Sequence, residues 1–304
     1  MSLRYRSIVI TALYPELMYD GEKLANQIAE IGRAGFYNTV EFYYGGSPEK
    51  HESIRKALQD FGLHSVFLAG YPLKQNKWNL GALDEEKRQH VLAFAKRLVD
   101  LSYYYGSQKM LVLSGEAYAH EDDRRRSFDL LTESLMELCD YARAQASDYL
   151  LEITLEYFND KGEPYLLVGP SSLAGQLAQR VTEKYGHFGL TFDLSHAIQL
   201  GEDPLGSLEN LSPYVRHIHL SNCVTKHPEN PLYGDKHPPF NIPEGDVSDE
   251  DVLMYMQQFK KMGFIEKDAI IGVEIIGRPP WDSRKLYHEC TQLFARAIQQ
   301  IAST

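Results

Sequence analysis

The sequence has little of what characterises secreted or membrane proteins. Its 304 residues contain only three cysteines, Cys139, Cys223 and Cys290, which are odd in number and far apart. This pattern indicates reduced thiols rather than a disulfide framework, as is usual in the cytoplasm. The chain has no run of about 18 apolar residues, and its N-terminus lacks the apolar stretch of a signal peptide. We therefore expect a cytoplasmic protein with no membrane span.

Basic residues are scarce relative to acidic ones. The chain has 31 Lys and Arg against 42 Asp and Glu, which gives a formal net charge of −11. The one basic run, Arg124–Arg126, lies in a helix-like segment that is rich in carboxylates. Because nucleic-acid binding depends on a basic surface, we do not expect nucleic acid as a partner. The composition leaves the oligomeric state open and allows a homo-oligomer.

The chain does contain a regular alternation of strand-like and helix-like segments. Short β-type runs bounded by turn residues predict strands, and apolar positions at helical spacing predict the helices between them. The predicted strands are Ser7–Leu13, Thr39–Tyr44, His64–Ala69, Lys109–Leu113, Tyr149–Tyr157, Gly189–Asp193, Val215–Leu220 and Ala269–Ile276. The predicted helices are Glu22–Phe36, Pro48–Phe61, Asp84–Tyr104, Asp122–Ser147, Ser171–Tyr185, Ser248–Met262 and Ser283–Ile301, with a further helix-like segment between the sixth and seventh strands.

This alternation predicts the fold class α/β, as a single (β/α)8 TIM barrel domain over residues 1–304. Eight strand–helix units with no linker-like segment fit one closed barrel, and 43% hydrophobic residues suffice for a large core. The alternative is a doubly wound open sheet. Against it, no Gly-rich phosphate-binding turn follows the first strand, so the barrel is favoured.

Several predicted strands end in side chains that can bind metal. Glu156 ends the fifth strand, Asp193 the sixth with His196 three residues on, His219 the seventh, and Glu274 the eighth. Carboxylates inside apolar runs such as IIGVEII are costly to bury unless a cation compensates their charge. Glu156, Asp193, His219 and Glu274 form a set suited to Mn²⁺, Mg²⁺, Co²⁺ or Zn²⁺, with positions left open for a substrate. Any one of these residues alone is more typical of a solvated or packed strand position.

Taken together, the segments LEYF, FDLSH, HIHLSN, the turn Glu244–Asp246 and GVEI resemble the xylose-isomerase-like barrel superfamily. That group includes sugar isomerases, ketose 3-epimerases, inosose dehydratases, hydroxypyruvate isomerases and the endonuclease IV family. The resemblance implies one divalent metal ion held by Glu156, Asp193, His219 and Glu274. It also implies that His196 lies beside the substrate.

The resemblance to endonuclease IV is partial. Within GDKHPPFNIPEGDV, Asp235 and His237 match the Asp-x-His zinc ligands of that family. The histidines that the family places at the ends of the third and fourth strands are missing, since Ala69–Gly70 and Ser114 stand there. A three-zinc cluster is therefore incomplete, and an abasic-site nuclease is the alternative rather than the favoured function.

The resemblance to the ketose 3-epimerases is incomplete as well. Those enzymes carry an Arg where this chain has Thr225, and a second Glu where it has Gly162. Lys226 and Glu163 lie one residue further on and could serve after a loop shift. The specific sugar is left open, as are dehydration of the inosose type and a non-catalytic sugar-binding barrel.

The favoured function is a divalent-metal-dependent isomerase or epimerase of a sugar or sugar derivative. Glu156 and Glu274 are the expected catalytic pair, which would move a proton at carbon through a metal-stabilised enediolate. His196, His237 and Arg278 are the expected substrate-binding residues. Further residues predicted near the rim are Glu41, Lys226 and Trp281, with Tyr14, Tyr43, Tyr44 and Tyr71 placed for stacking on a sugar ring.

Overall fold

Eight parallel strands close into a barrel in the computed structural model, which describes residues 3–158, 165–267 and 269–303. Each strand pairs with its sequence neighbours, and the first strand also pairs with the last. The strands are β1 Arg6–Val9, β2 Thr39–Phe42, β3 His64–Leu68, β4 Lys109–Val112, β5 Glu152–Glu156, β6 Phe188–Asp193, β7 Val215–Leu220 and β8 Ile270–Val273. The predicted fold class is confirmed.

Helices surround the barrel and also follow directly on several strand ends. They are α1 Ile10–Leu13, α2 Gly21–Ala34, α3 His51–Asp60, α4 Gly70–Gln75, α5 Glu85–Tyr105, α6 Glu121–Gln145, α7 Ser171–Thr182, α8 Leu194–Gln199, α9 Pro204–Leu211, α10 Asp249–Lys261 and α11 Ser283–Ser303, with 3₁₀ turns at Pro15–Tyr19 and Pro48–Lys50. Among the described residues, no helix combines the length and apolar character needed to cross a membrane.

Local sequence fixes where the longer helices begin and end. The Asp84 side chain accepts a hydrogen bond from the Lys87 N–H at the start of α5, and Gly106 ends that helix in the left-handed region at φ 72°. Ser248 and Asp251 form a reciprocal capping box at the start of α10. These caps satisfy backbone groups that a helix end would otherwise leave without partners.

The hydrophobic core has two parts. The larger part fills the layer between the strands and the surrounding helices, where residues such as Phe67 and Phe188 are fully buried. The smaller part lies inside the barrel and comprises Val66, Leu111, Leu113, Phe158, Leu166 and Ile270. The barrel interior is therefore packed, and an accessible site can form only at its ends.

Strand register brings the polar strand ends to one level. Asp193 on β6 lies opposite His219 on β7, and Glu156 on β5 lies opposite Thr191 on β6. Glu274 follows β8 directly and continues its pairing, since its N–H donates to the Leu220 carbonyl at 2.9 Å. The C-terminal ends of β5 to β8 therefore present their side chains at the same edge of the barrel.

Several predicted strand boundaries were wrong, among them the ends of the first and eighth strands and the start of the fifth. The predicted strand Ser7–Leu13 stops at Val9, after which α1 forms and the Tyr14 N–H donates to the Ile10 carbonyl at 2.8 Å. Short apolar runs of this kind fit a strand or a helix equally well. The predicted strand Tyr149–Tyr157 begins only at Glu152, because the Leu151 N–H donates to the Tyr103 hydroxyl rather than to a strand.

Candidate metal centre and active site

A cavity of about 420 Å³ opens at the C-terminal ends of the strands. Its polar lining comes mostly from β5 to β8 and the segments that follow them. These residues include Glu156, His196, His219, Asp235, His237 and Glu274, joined by Lys74 from α4. The cavity lies where catalytic residues of barrel enzymes are found.

Four predicted ligands converge in this region from four different strand ends. Glu156, Asp193, His219 and Glu274 each offer one atom, and these atoms lie within 4.8 Å of one another. His219 Nδ1 lies 2.8 Å from Glu274 Oε2, 3.3 Å from Glu156 Oε1 and 3.8 Å from Asp193 Oδ2. One imidazole nitrogen thus faces three carboxylates, the arrangement that a divalent cation would stabilise.

The two oxygens of Asp193 have very different surroundings. Oδ1 accepts hydrogen bonds from the backbone N–H groups of Ser195 and His196 at 2.8 and 3.1 Å, and from the hydroxyls of Ser195 and Ser221 at 2.6 and 2.7 Å. Oδ2 is buried and has no hydrogen-bond donor. A buried carboxylate oxygen without a partner is costly, so a cation beside Oδ2 would satisfy it. The residues present therefore fit a divalent metal ion.

Glu41 contacts the second ring nitrogen of His219, the one that does not face the three carboxylates. Its Oε2 lies 3.0 Å from His219 Nε2 and its Oε1 lies 3.0 Å from His217 Nε2. His217 also contacts the Thr191 hydroxyl at 3.2 Å, and Glu41 and both histidines are buried. A carboxylate behind a metal-binding histidine fixes the tautomer and the ring orientation, leaving the other nitrogen free for a ligand role. The prediction of Glu41 at the substrate rim was wrong, because it lies behind His219.

Burial and neighbouring charges shift the pKa values of these groups. Burial would lower the pKa of His219, but the carboxylates of Glu41 and Glu274 raise it well above its usual value. Burial raises the pKa of Glu156, which the nearby His219 only partly offsets. At Glu41, burial is outweighed by His217 and His219, so its pKa is held far below the usual range. Strong perturbation of this kind in a cavity is typical of functional sites.

The described part of the chain contains two other groups of side chains that could bind a metal ion. In the group Glu41, His217 and His219, both carboxylate oxygens already contact imidazole nitrogens. The group Asp193, His196 and His237 shares Asp193, whose Oδ1 lies 4.0 Å from His196 but already accepts four donors. The unpartnered Oδ2 lies on the side of His219, which singles out the four-ligand group.

His196 and His237 both line the cavity, as expected for substrate-binding residues. The His196 ring packs against Phe158 at a centroid distance of 3.7 Å, and its Nε2 lies 3.8 Å from Glu156 Oε1. His237 Nε2 lies 2.9 Å from Asp235 Oδ1. Burial would lower the pKa of His237, but Glu274 and Asp235 raise it to about 10.

Most of the remaining rim predictions fall outside the cavity or outside the described residues. Arg278 is half-buried, and its guanidinium donates to the Lys236 carbonyl rather than lining the cavity. Lys226 is exposed and pairs with Asp246 at 3.0 Å. Tyr71 lines the cavity, whereas Tyr14, Tyr43, Tyr44 and Trp281 do not. Glu163 lies outside the described residues.

Sequence reasoning missed three contributors to the site. Lys74 reaches the cavity from α4 and pairs with Asp235 at 2.5 Å, while Ser195 and Ser221 anchor Asp193. Lys74 lies in the segment GYPLKQ, shortly after the third strand, and this position was the available signal. The two serines lie in FDLSH and HLSN, beside the residues that the sequence already singled out.

Comparison with known proteins finds a family that matches most of the barrel. A family model described as xylose isomerase-like TIM barrel matches residues 26–297. A search of curated proteins found no match. Among solved structures, the chain is similar to D-psicose 3-epimerase from Clostridium cellulolyticum H10 at 15% identity and a TM-score of 0.70, with 99% of each chain covered.

Two further solved structures are similar over nearly their full length. The IolI protein with a bound zinc atom is 16% identical with a TM-score of 0.68, over 100% of this chain and 99% of the other. An AP endonuclease of family 2 from Brucella melitensis is 14% identical with a TM-score of 0.66, over 91% and 94%. At such identities the likeness shows the fold, and the chemistry must be argued from the site.

Proposed function

The chain belongs to the xylose isomerase-like TIM barrel family, and on that premise we propose that it is a divalent-metal-dependent isomerase or epimerase of a sugar or sugar derivative. The observation that carries this proposal is the convergence of four buried or half-buried ligand side chains from four strand ends. The unpartnered oxygen of Asp193 supports it, because a cation would satisfy that atom.

Glu156, Asp193, His219 and Glu274 would hold the ion, for which Mn²⁺, Zn²⁺, Co²⁺ and Mg²⁺ are the candidates. When bound, such an ion supplies Lewis acidity toward a carbonyl oxygen and its neighbouring hydroxyl. Side chains that do not face the ion position would orient two of its ligands. Ser195 and Ser221 hold Asp193, and Glu41 orients His219.

Glu156 and Glu274 are the proposed proton-transfer groups. Both line the cavity, and each lies within 3.3 Å of the same nitrogen of His219, so their carboxylates approach the site from different strands. One carboxylate removes a proton from carbon beside a carbonyl group, and a carboxylate returns it. Return to the opposite face gives epimerisation, whereas return to the adjacent carbon gives isomerisation.

His196 and His237 are the proposed contacts to substrate oxygens. Both are nearly fully buried yet line the cavity, so their ring nitrogens can contact substrate without competition from bulk water. If it is protonated, His237, which lies 2.9 Å from Asp235, would stabilise negative charge that develops on a substrate oxygen during proton transfer.

Solvent deuterium exchange tests this function directly. The protein loaded with Mn²⁺ is incubated in D₂O with ketoses, sugar acids and inososes, and deuterium at carbon is measured by mass spectrometry. We expect exchange with at least one compound, and about a 10² to 10⁴-fold lower rate in fully metallated Glu156→Gln and Glu274→Gln. A wild-type rate in either metallated variant would show that these carboxylates do not move the proton.

An abasic-site nuclease is the second candidate, favoured by the placement of Asp235 and His237 at the same cavity. Against it, Asp235 is already paired with Lys74 at 2.5 Å, and Ala69 and Ser114 offer no imidazole. Cleavage of a duplex that contains one abasic site, measured in the presence of Zn²⁺, distinguishes the two functions. We expect no cleavage above a protein-free control.

A further inference from the structure

The cavity wall that faces the candidate ligands is apolar. Its side chains come mainly from β1, β3, β4 and the segments that follow β1 and β8. They are Val9, Met18, Leu68, Leu111, Leu113 and Ile276. Because a cavity of about 420 Å³ exceeds the space needed for a three-carbon reacting unit, the far part of a bound substrate would lie against this wall.

Some of the polar groups near this wall are engaged within the protein, and Tyr71 also lines the cavity. The Thr11 hydroxyl accepts from the Tyr43 N–H at 3.2 Å, and Gln75 Oε1 accepts from the Tyr19 hydroxyl at 2.9 Å. The ammonium of Lys74 pairs with Asp235. Among the residues that the structure describes, Lys74 is the only Lys or Arg that lines the cavity. An anionic substituent would therefore meet a cation whose charge Asp235 already neutralises.

A sugar hydroxyl buried against such a wall would lose its water without gaining a strong partner, which is unfavourable. A methyl or alkyl group in the same place would bind more favourably, because burying its apolar surface away from water lowers the free energy. We propose that the substrate is a hydroxycarbonyl compound with an apolar far end, a deoxy or alkyl-substituted sugar rather than a phosphorylated or fully hydroxylated one. This inference rests on the proposed function.

Paired compounds test the inference. Each of the four D-2-ketohexoses and its 6-deoxy counterpart is titrated into the Mn²⁺-loaded protein by calorimetry, and deuterium exchange at carbon is followed on the same samples. We expect the 6-deoxy member of the best-bound pair to bind about 10-fold or more tightly, the order of discrimination that hydrophobic pockets achieve. The same preference is expected in kcat/KM for exchange.

Substitutions in the apolar wall test whether these side chains cause the preference for the 6-deoxy compound. Leu68→Gln and Met18→Gln place an amide in the apolar wall and are expected to reduce the preference to within about twofold. Leu68 is only half-buried, so Leu68→Gln should fold. Leu253→Gln is the matched control, because Leu253 is also half-buried but lies on α10 away from the cavity. It should keep the wild-type preference.

The outcomes separate this inference from the proposed function. Tighter binding of the hydroxylated member, equal binding of both members, or binding of neither would overturn the apolar far end. Tighter binding of the 6-deoxy member without any exchange would support it while contradicting the isomerase or epimerase activity. A preference that survives unchanged in both Leu68→Gln and Met18→Gln would show that this wall does not produce it.

Discussion

The two halves of this barrel present different side chains at the same edge. The ends of β5 to β8 and the segments after them supply carboxylates and imidazoles, including Glu156, Asp193, His219 and Glu274. The ends of β1, β3 and β4 supply Val9, Leu68, Leu111 and Leu113. Because all eight strands share one direction and one closed sheet, the fold itself does not require this division. The difference lies in the strand-end residues alone.

Glu41 shows how the first half takes part without facing the substrate. It lies on β2, yet its carboxylate crosses the barrel interior to contact His217 and His219 on β7. A buried carboxylate between two histidines is tolerated because both of its oxygens have partners. The first half therefore holds His219 through Glu41 and lines the apolar wall, whereas the second half supplies the proposed metal ligands.

The largest expected effect is the loss of metal binding when a ligand of the second half is changed. Asp193→Asn and His219→Ala each remove one donor from a four-donor set, so we expect no bound divalent ion after gel filtration. Elemental analysis of the purified variants measures this directly, and circular dichroism checks that the barrel has folded.

Glu116→Gln is the matched control in the first half. Glu116 follows β4, and its side chain is 52% exposed and pairs only loosely with Lys77 at 3.7 Å. We expect wild-type metal content in this variant. If Glu116→Gln lost the ion while Asp193→Asn kept it, the assignment of the metal ligands to the second half would be wrong.

The next effect concerns the free energy of unfolding. We expect core substitutions in the two halves of the barrel to lower it by similar amounts. Phe67 on β3 and Phe188 on β6 are both fully buried in the layer between strands and helices. Because their environments are alike, Phe67→Ala and Phe188→Ala should each lower the free energy of unfolding by about 3–5 kcal/mol. Urea unfolding followed by fluorescence measures both, and a difference of several kcal/mol would show that one half dominates folding.

The smallest of the expected effects is at Glu41. Glu41→Gln keeps the side-chain volume but replaces the carboxylate that contacts His219 Nε2 at 3.0 Å. Changes in such outer partners weaken metal binding by about 10 to 100-fold. A competition titration with a metal-sensitive dye gives the affinity. An unchanged affinity would mean that Glu41 is only a packing residue.

The sequence predicted the barrel because strand and helix periodicities alternate eight times. It singled out the four candidate ligands because each lies at or near the end of a predicted strand. It could not place Glu41 correctly, since which barrel residue its carboxylate reaches depends on β2 and β7 facing each other across the interior. It also could not place Lys74, whose pairing with Asp235 joins segments 161 residues apart. Arg278 was misjudged because its backbone partner, the Lys236 carbonyl, lies in a loop without a predictable course.

The short helices α4, α8 and α9 were not predicted as separate elements for a related reason. Each has between six and eight residues, too few for a helical period to stand out from its neighbours. They nevertheless matter for the site. The start of α8 supplies three of the four donors that hold Asp193, and α4 carries Lys74.

The central claim is that one divalent ion is held by the second half of the barrel. The most direct test is the metal content of the wild-type protein after gentle purification and after addition of Mn²⁺ or Zn²⁺, measured by elemental analysis against protein concentration. We expect about one ion per chain, held by Glu156, Asp193, His219 and Glu274, the group in which the unpartnered Oδ2 of Asp193 faces His219. Three ions per chain would favour the nuclease, and no ion under any of these conditions would contradict the site.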